Sequence, residues 1–558
     1  MRFLVILSLA LFPFLGFSQS SYVYSLNTGI YQFLDELASD KIISINSVIK
    51  PYTRSYIYEK LKEAQNKKDQ LNDRQLKELE HYFDYYTFGN KPNYLPTESK
   101  INLFKKSKHL STSINHIAFF YSDSLFSCSV RPIVGVDYCM NSSGDYLHTY
   151  RGAEAFMSLG EHVGVYADLR DNTVNKILVL PTYFTNEQGG IYKTDVQENG
   201  GADYSEMRGG ILLSWSFLQI GIVKENMIWG NNYDGGLILS GHTPSFPMIK
   251  LHINPVKWFD FNYFHAWLVS DVIDSMATYV SPNGNLRERF REKYMAANMF
   301  TIIPVKGLNL SFGNSIIYSD QNVNPAYLIP VFFYKSVDHT LTSYKIENQN
   351  SQMFLDFSLR LIKHTHFFLT AYWDDFSYKR ITDPERHNFY SYKVGGKISN
   401  WPISNISILG EYFRSTPITY KHYVPTLSFE SNSFNLGSYL RDNSDEIYLS
   451  LEARPLPHLL FKYAYSNARH GNEFTYINGY IDVTYPILGD ITWSNTSHSV
   501  SASWEFLTNC HFTLEYLYSN IKGFDVDGHD AQYYLDYFTP AFFQGKKHTF
   551  CTSINIGF

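Results

Sequence analysis

Charge is scarce in this chain. Only 18% of its 558 residues are Asp, Glu, Lys or Arg, and 47 basic against 53 acidic side chains leave a formal net charge of −6. Without a basic excess there is no electrostatic footprint for a phosphate backbone, so nucleic acid is excluded as a partner. Cysteine is scarce as well. Cys128, Cys139, Cys510 and Cys551 are too few and too scattered for a disulfide-built scaffold, and no CxxC or Cys/His spacing offers a metal site. Cys128 and Cys139 could bridge in an oxidising compartment, or stand unpaired in a wall held by other forces. After Phe17 no apolar run approaches the ~20 residues that a membrane helix requires. Catalytic signatures are missing too, with no Gly-x-Ser-x-Gly elbow, HExxH or P-loop. His109, His116, His162, His265, His364 and His366 lack companion motifs and read as solvated or interfacial groups. The expectation is a non-enzymatic protein with no metal and no cofactor.

Aromatic residues, by contrast, are abundant: 17% of the chain, including 45 Tyr and 42 Phe. That load suits rings of amphipathic side chains at two membrane interfaces. At the N-terminus, Met1-Arg2 precedes an apolar run from Phe3 to Phe17 and a small-residue site around Ser18, which predicts a secretory signal over residues 1–18. Residues 19–98 then read as a helical bundle and its linker. Ile30, Phe33, Leu34 and Leu37 form one apolar stripe, Ile57, Leu61 and Ala64 a second, and Leu76, Leu79, Phe83 and Tyr86 a third. Thr53 is a candidate N-cap for the second helix, and Asn72 or Asp73 for the third. Lys60, Lys62, Glu63, Lys67, Lys68, Asp69, Glu78 and Glu80 supply the wet face. Helices this polar do not cross a bilayer, so the bundle is expected beside a membrane domain, on its periplasmic side.

From residue 99 to 558 the period changes to two. Val130, Pro132, Val134, Val136 and Tyr138 share one face of a strand, as do Val163, Val165, Ala167 and Leu169, or Ile447, Leu449, Leu451 and Ala453. The opposite faces carry Arg131, Asp137, Asp168, Arg170, Asp356, Arg360, Glu452, Arg454, Glu505 and Glu515. The last such segment sets Phe550, Thr552, Ile554, Ile556 and Phe558 against Cys551, Ser553, Asn555 and Gly557. Long polar stretches such as 172–207, 270–292, 319–352, 414–446, 467–498 and 523–547 alternate with tight connections such as Pro402 to Asn405 and Pro455 to His458. These features predict a mainly β protein: a transmembrane antiparallel β-barrel of about eighteen strands with a small N-terminal α-helical bundle, in the outer membrane of a Gram-negative bacterium.

One internal stretch stands out. After the strand Gly221 to Met227 come Ile228-Trp229-Gly230, a turn of Asn231, Asn232, Tyr233, Asp234, Gly235 and Gly236, an apolar run Leu237 to Leu239, and a loop ending at Pro247. This pattern resembles the capsule-assembly family called Wzi. Tyr327-Leu-Ile-Pro330 and Trp373-Asp374-Asp375-Phe376 extend the resemblance, as do Phe33-Leu34-Asp35-Glu36-Leu37 and Pro51-Tyr-Thr-Arg54 in the helical region. The Tyr, Asn and Ser richness is similar to Bacteroidetes members, some of them gliding-motility relatives of the RemB type. The Trp229 turn lacks a basic pair associated with enterobacterial relatives.

The resemblance implies a lectin-like barrel that attaches or organises surface polysaccharide. Trp229, Asn231, Asn232, Tyr233, Asp234, Trp373, Asp374 and Asp375 are its glycan candidates, because aromatic faces suit sugar rings and amides or carboxylates suit hydroxyls. The same residues could instead plug the lumen, with Asp374 and Asp375 bridged to Arg151, Arg170 or Arg208. Outer-membrane lipid, surface polysaccharide and protein partners docking on residues 20–90 are the expected contacts. A scaffold subunit of a secretion or gliding-motility complex is the alternative, and a porin the second.

Overall fold

A computed structural model describes residues 21–25, 28–96, 109–193, 200–343, 348–381, 388–476 and 484–557. The signal segment 1–18 and Phe558 lie outside them. Three helices come first: α1 (Thr28–Ser39), α2 (Arg54–Gln65) and α3 (Asp73–Thr87). Their starts follow the capping chemistry of the sequence. Thr53 accepts a hydrogen bond from the Tyr56 amide at 3.2 Å. Asn72 and Gln75 form a reciprocal capping box.

Eighteen strands then form one closed antiparallel ring. They are β1 (Phe126–Asn141), β2 (Gly144–Leu159), β3 (Val163–Val174), β4 (Ala202–Ser214), β5 (Leu218–Glu225), β6 (Phe246–Val256), β7 (Phe259–Ile273), β8 (Phe290–Val305) and β9 (Leu308–Ser319). The second half comprises β10 (Gln349–Leu359), β11 (Thr365–Asp375), β12 (Phe389–Ser399), β13 (Ile406–Ser415), β14 (Ser444–Leu456), β15 (Leu459–Gly471), β16 (Ile491–Leu507), β17 (Cys510–Gly523) and β18 (Gly545–Ile556). Two shorter helices, α4 (Tyr334–Ser343) and α5 (Ala531–Phe538), lie in the connections after β9 and β17.

Closure is required because hydrocarbon offers no partner to an unpaired strand edge. β18 pairs with β1 from Phe550↔Met140 to Ile556↔Val134. Where β18 ends, a hairpin of Leu110–Ser113 and Ala118–Ser122 takes over the remaining edge of β1, with Phe119 opposite Val130. The seam is also covalent. Cys139 is disulfide-bonded to Cys551, its register partner across β1 and β18. Cys128, weighed above as a partner for Cys139, is a free thiol; the seam brings together residues 412 apart in sequence, which spacing along the chain cannot reveal.

The period-two reading places the faces. Val130, Val134, Val136, Leu169, Leu449, Leu451, Phe550 and Ile554 are exposed on the outside, whereas Arg131, Asp168, Asp356, Glu452 and Glu505 are buried within. Arg151 is an exception to the expected lumen arginines: it pairs across the ladder with Val134 and Asp171 on the outer face. Tight turns crowd one end of the barrel and long connections the other, with the two-residue turn between β1 and β2 the exception at the long-connection end. Trp215, Trp258, Trp401 and Trp504, all exposed, sit at or beside four of those turns, the depth at which an indole spans apolar and wet surroundings.

The helices do not stand beside the barrel. They are lodged in its turn-end mouth, where Arg74 Nε donates to Asn405 Oδ1 (2.8 Å), the His458 amide to Glu78 Oε1 (3.0 Å), Tyr82 to Glu505 Oε2 (2.7 Å) and Asn309 to the Ile45 carbonyl (3.1 Å). Glu78, expected on the wet face, is therefore buried together with Arg74, Gln75 and Tyr82. A polar lumen wall can hold a polar helix face that another helix could not. His116, His265 and His366 are buried as well, and were not legible as such.

The seam gives a direct test. Cys139→Ser should lower the stability of the oxidised, folded barrel by about 2–5 kcal/mol, since a disulfide closing a very long loop restricts the unfolded chain most. Thermal unfolding of wild type and variant, each with and without reductant, checks this: reductant should shift wild type alone.

Candidate functional site

The Trp229 segment turns inward. Ile228–Trp229 forms the middle of a three-stranded sheet inside the barrel, between Ile49–Lys50 from the N-terminal region and Leu239–Ser240. The loop after β5 thus enters from the loop end and meets chain arriving from the turn end. Trp229 is fully buried. Its ring packs edge-on against Phe264, with centroids 5.1 Å apart, and Phe354 lies beyond at 6.4 Å. Gly230 follows with φ +96°, and a β-carbon there would fall 2.7 Å from Thr370 Cγ2. Only glycine fits both the conformation and the space.

The polar residues of the turn are held as tightly. The Asn231 amide and side chain donate to Asp356 at 2.8 and 2.5 Å, and Ser47 donates to Asn231 Oδ1 at 2.6 Å. Asn232 bonds back to the Gly230 carbonyl (3.0 Å). The amides of Tyr233 and Asp234 donate to the two oxygens of Glu411, at 2.7 and 3.1 Å. Lys393 reaches the carbonyls of Asp234 and Gly235 and lies 3.4 Å from Glu411. Asn186 donates to Asp234 Oδ1 at 3.1 Å.

A second layer joins this turn to α1. The Tyr233 hydroxyl donates to Asp35 at 2.9 Å and lies 2.7 Å from His366 Nδ1. Asp35 is paired with Arg360 at 2.8 Å and with Lys397 at 3.2 Å, and the Lys397 ammonium stands 4.7 Å from the centre of the Tyr233 ring. Burial alone would push the Asp35 carboxyl up; the adjacent Lys397 and Arg360 reverse this and hold it well below the usual carboxylate range.

Trp229, Asn231, Asn232, Tyr233 and Asp234 are therefore brought together, with their polar groups largely engaged by the barrel wall. Trp373, Asp374 and Asp375 are not brought to them. Alternation along β11 turns Asp374 inward, where it accepts from the Tyr420 amide (3.0 Å) and from Asn350 (3.2 Å). Asp375 follows a bulge that sets it opposite Phe389, and it pairs with Arg380 at 2.7 Å. Trp373 is outward, opposite Met353. Arg170 and Arg208, weighed above as partners for these aspartates, pair instead with Glu206 (2.8 Å) and Asp168 (2.5 Å).

The loop end carries a different surface, on the long connection 523–547 after β17. Asp530 caps α5 by accepting from the Tyr533 amide at 2.8 Å. The inner face of α5 buries Tyr534 and Phe538, and Phe538 stacks on Phe184 at 4.3 Å. Phe184 rests on Trp493, whose indole donates to Thr539 at 2.8 Å. The outer face presents Tyr533 and Tyr537, 45% and 39% exposed. Being one helical turn apart, their rings lie nearly parallel (6°) with centroids 6.2 Å apart, and His529 stacks on Tyr533 at 4.0 Å. Beside this ladder Gln532 and Gln544 both donate to Asp536, at 2.8 and 2.9 Å. The sequence signal was present: Asp530 precedes apolar residues at Tyr534, Leu535 and Phe538.

Fold and site together define a class: a membrane-spanning β-barrel with chain entering its lumen from both ends. A family model described as capsule assembly protein Wzi matches residues 197–533, and the chain belongs to that family. It is an outer-membrane protein. Among solved structures, the chain aligns with Wzi of Escherichia coli, described as a carbohydrate-binding β-barrel involved in group 1 capsule assembly. That match has 10% identity over 97% of this chain and 100% of the other, with a TM-score of 0.56, and shows the shared fold. OccAB2 of Acinetobacter baumannii (12% identity, 77% of this chain and 97% of that one, TM-score 0.43) and OccD3 of Pseudomonas aeruginosa (10%, 77% and 91%, 0.43) also align. No curated protein sequence matches the chain.

Asp35 supplies the test of the plug. Asp35→Asn leaves Arg360 and Lys397 without their shared anion and should cost roughly 3–5 kcal/mol. Because the folded carboxyl titrates below its unfolded value near about pH 4, the stabilisation is complete above that pH and drains away as the pH falls through the folded value. Thermal unfolding against pH should show the gap between wild type and variant constant at neutral pH and narrowing only in strong acid.

Proposed function

We propose that this barrel holds or organises capsular polysaccharide at the cell surface, as a binding protein and not an enzyme. The observation that carries the reading is the exposed ladder of His529, Tyr533 and Tyr537 with Gln532, Asp536 and Gln544 at its side, on a barrel of the capsule-assembly family. Flat aromatic faces accept the C–H faces of sugar rings, and the amide and carboxylate groups meet hydroxyls. In this reading the long loops face the exterior, and the turn end with its helices faces the periplasm. The description of the E. coli relative as carbohydrate-binding supports the same substrate class. Trp229 and its neighbours act as the lumen plug that supports the surface, and diffusion through the barrel is not its task.

Tyr533→Ala and Tyr537→Ala should each weaken retention of capsular polysaccharide about tenfold, the worth of one lost stacking contact. Glycan pull-down with purified barrel, alongside unfolding curves to show that the fold is kept, checks this. Unchanged retention in the double variant would move the site elsewhere.

A second reading, a scaffold subunit of a secretion or gliding-motility complex, rests on the exposed charged face of the bundle, Glu59, Lys62, Lys68, Asp69, Lys77 and Glu80. Charge reversal at Lys62, Lys68 and Lys77 that removes a copurifying protein while leaving glycan binding intact would favour it.

A further inference from the structure

The connection after β9 does not rise from the barrel. Residues 320–343 fold back over the outer wall and cover a patch that would otherwise face hydrocarbon. Beneath them Tyr263, His265, Tyr294, Ala296, Asn298, Asn314, Ile316 and Tyr318 are buried on the outward faces of β7, β8 and β9. The strap is tied down by polar groups. Asn298 donates to the carbonyls of Pro330 and Phe332, both at 2.8 Å, and to its side-chain oxygen Asn314 donates at 2.7 Å. The Tyr334 amide donates to Asn314 Oδ1 (2.8 Å), Tyr263 to the Tyr327 carbonyl (2.9 Å) and Ser351 to Asp338 (2.6 Å). Polar residues on a lipid wall are costly unless satisfied in this way, so the strap is a fixed part of the wall.

At its edge the strap leaves a crevice of about 450 Å³, walled by Phe300, Phe312, Met353, Leu355 and Trp373 of the barrel and by Val331 to Phe333 of the strap. Its lining is almost wholly apolar. Val331 and Phe333 remain 62% and 54% exposed although they are attached to an anchored backbone. The crevice is three times the roughly 150 Å³ that accommodates a benzene-sized guest in a dry protein cavity. It opens among outward residues of β8 to β11, continuous with the exposed belt of Ile302, Leu310, Phe312 and Phe367. The medium around that belt in the outer membrane is lipid chains, and a folded partner would have to displace them.

We propose that this crevice seats one acyl chain of a membrane lipid and holds it longer than the surrounding bilayer lipids are held. The strap comes from the loop end, so the orientation proposed above assigns the chain to the outer leaflet; the seat itself does not depend on that orientation, nor on glycan binding.

The test uses the full-length barrel in nanodiscs of phosphatidylethanolamine and phosphatidylglycerol, with and without added lipid A, released into native mass spectrometry. One lipid retained per barrel is expected. Val331→Trp and Leu355→Trp, which fill the crevice from its two sides, should each cut retention about tenfold, while Leu213→Trp on the outer face of β4 should leave it unchanged. The heat-dependent mobility shift of a folded barrel on a gel identifies variants that fold, and either filled variant alone decides the matter. Preferential retention of lipid A names that lipid as the source of the chain, and equal retention of phospholipid supports a seat that reads the chain alone. No retained lipid in wild type, a protein retained there instead, or undiminished retention in a folded filled variant would overturn the proposal.

Discussion

Lumen-facing charges set the terms for everything else in this molecule. A closed ring of alternating strands sends every second side chain inward, and here those side chains include Arg360, Lys393, Lys397, Glu411 and Glu505. A buried charge without a partner is far costlier than a paired one. The barrel meets this condition by filling itself from both ends. Helix α1 brings Asp35 to Arg360 and Lys397, α3 brings Tyr82 to Glu505, and the turn after Trp229 lays its amides on Glu411 and its carbonyls on Lys393. Ile49–Lys50 and Ile228–Trp229 then pair by backbone hydrogen bonds, so the two inserts stabilise one another.

This explains which parts were legible beforehand. The strands were readable because hydrocarbon enforces a strict period of two, visible in residues such as Val134, Val136 and Tyr138. Helix starts were readable at Thr53 and Asn72 because capping is local chemistry. The seam disulfide and the burial of Glu78 and His366 depend on partners far along the chain, which no local pattern encodes; for the turn after Trp229 a lumen plug and a glycan site were both readable, and pairing with Ile49–Lys50 inside the barrel decides for the plug. The strap over β7 to β9 was hidden for a related reason: polar residues at Asn298 and Asn314 look like flaws in an outward face until the loop that satisfies them is in place.

The two aromatic constellations show why residue type alone did not locate a binding surface. Trp229 and Tyr533 both offer flat rings near amides and carboxylates. Around Trp229 the ring lies against Phe264, and Asn231, Tyr233 and Asp234 spend their hydrogen bonds on Ser47, Asp35, Asp356, Glu411 and Asn186. A sugar there would have to displace contacts already made. Around Tyr533 one side of the helix is packed on the rim through Phe538, Phe184 and Trp493, and the other is open.

That anchoring also bears on affinity. Ordering a loop on binding subtracts from the free energy of any contact it makes, and a long surface connection would ordinarily incur that cost in full. The residues of α5 are fixed before a ligand arrives: Trp493 belongs to β16, its indole holds Thr539 just beyond the helix, and Phe184 from the connection after β3 is tied to the Phe538 carbonyl at 3.0 Å. The connection after β3 and the strand β16 thus converge on one eight-residue helix. A helix fixed in this way presents Tyr533 and Tyr537 with their spacing already set, so a ligand that meets both rings meets a surface whose ordering cost has been met by the fold.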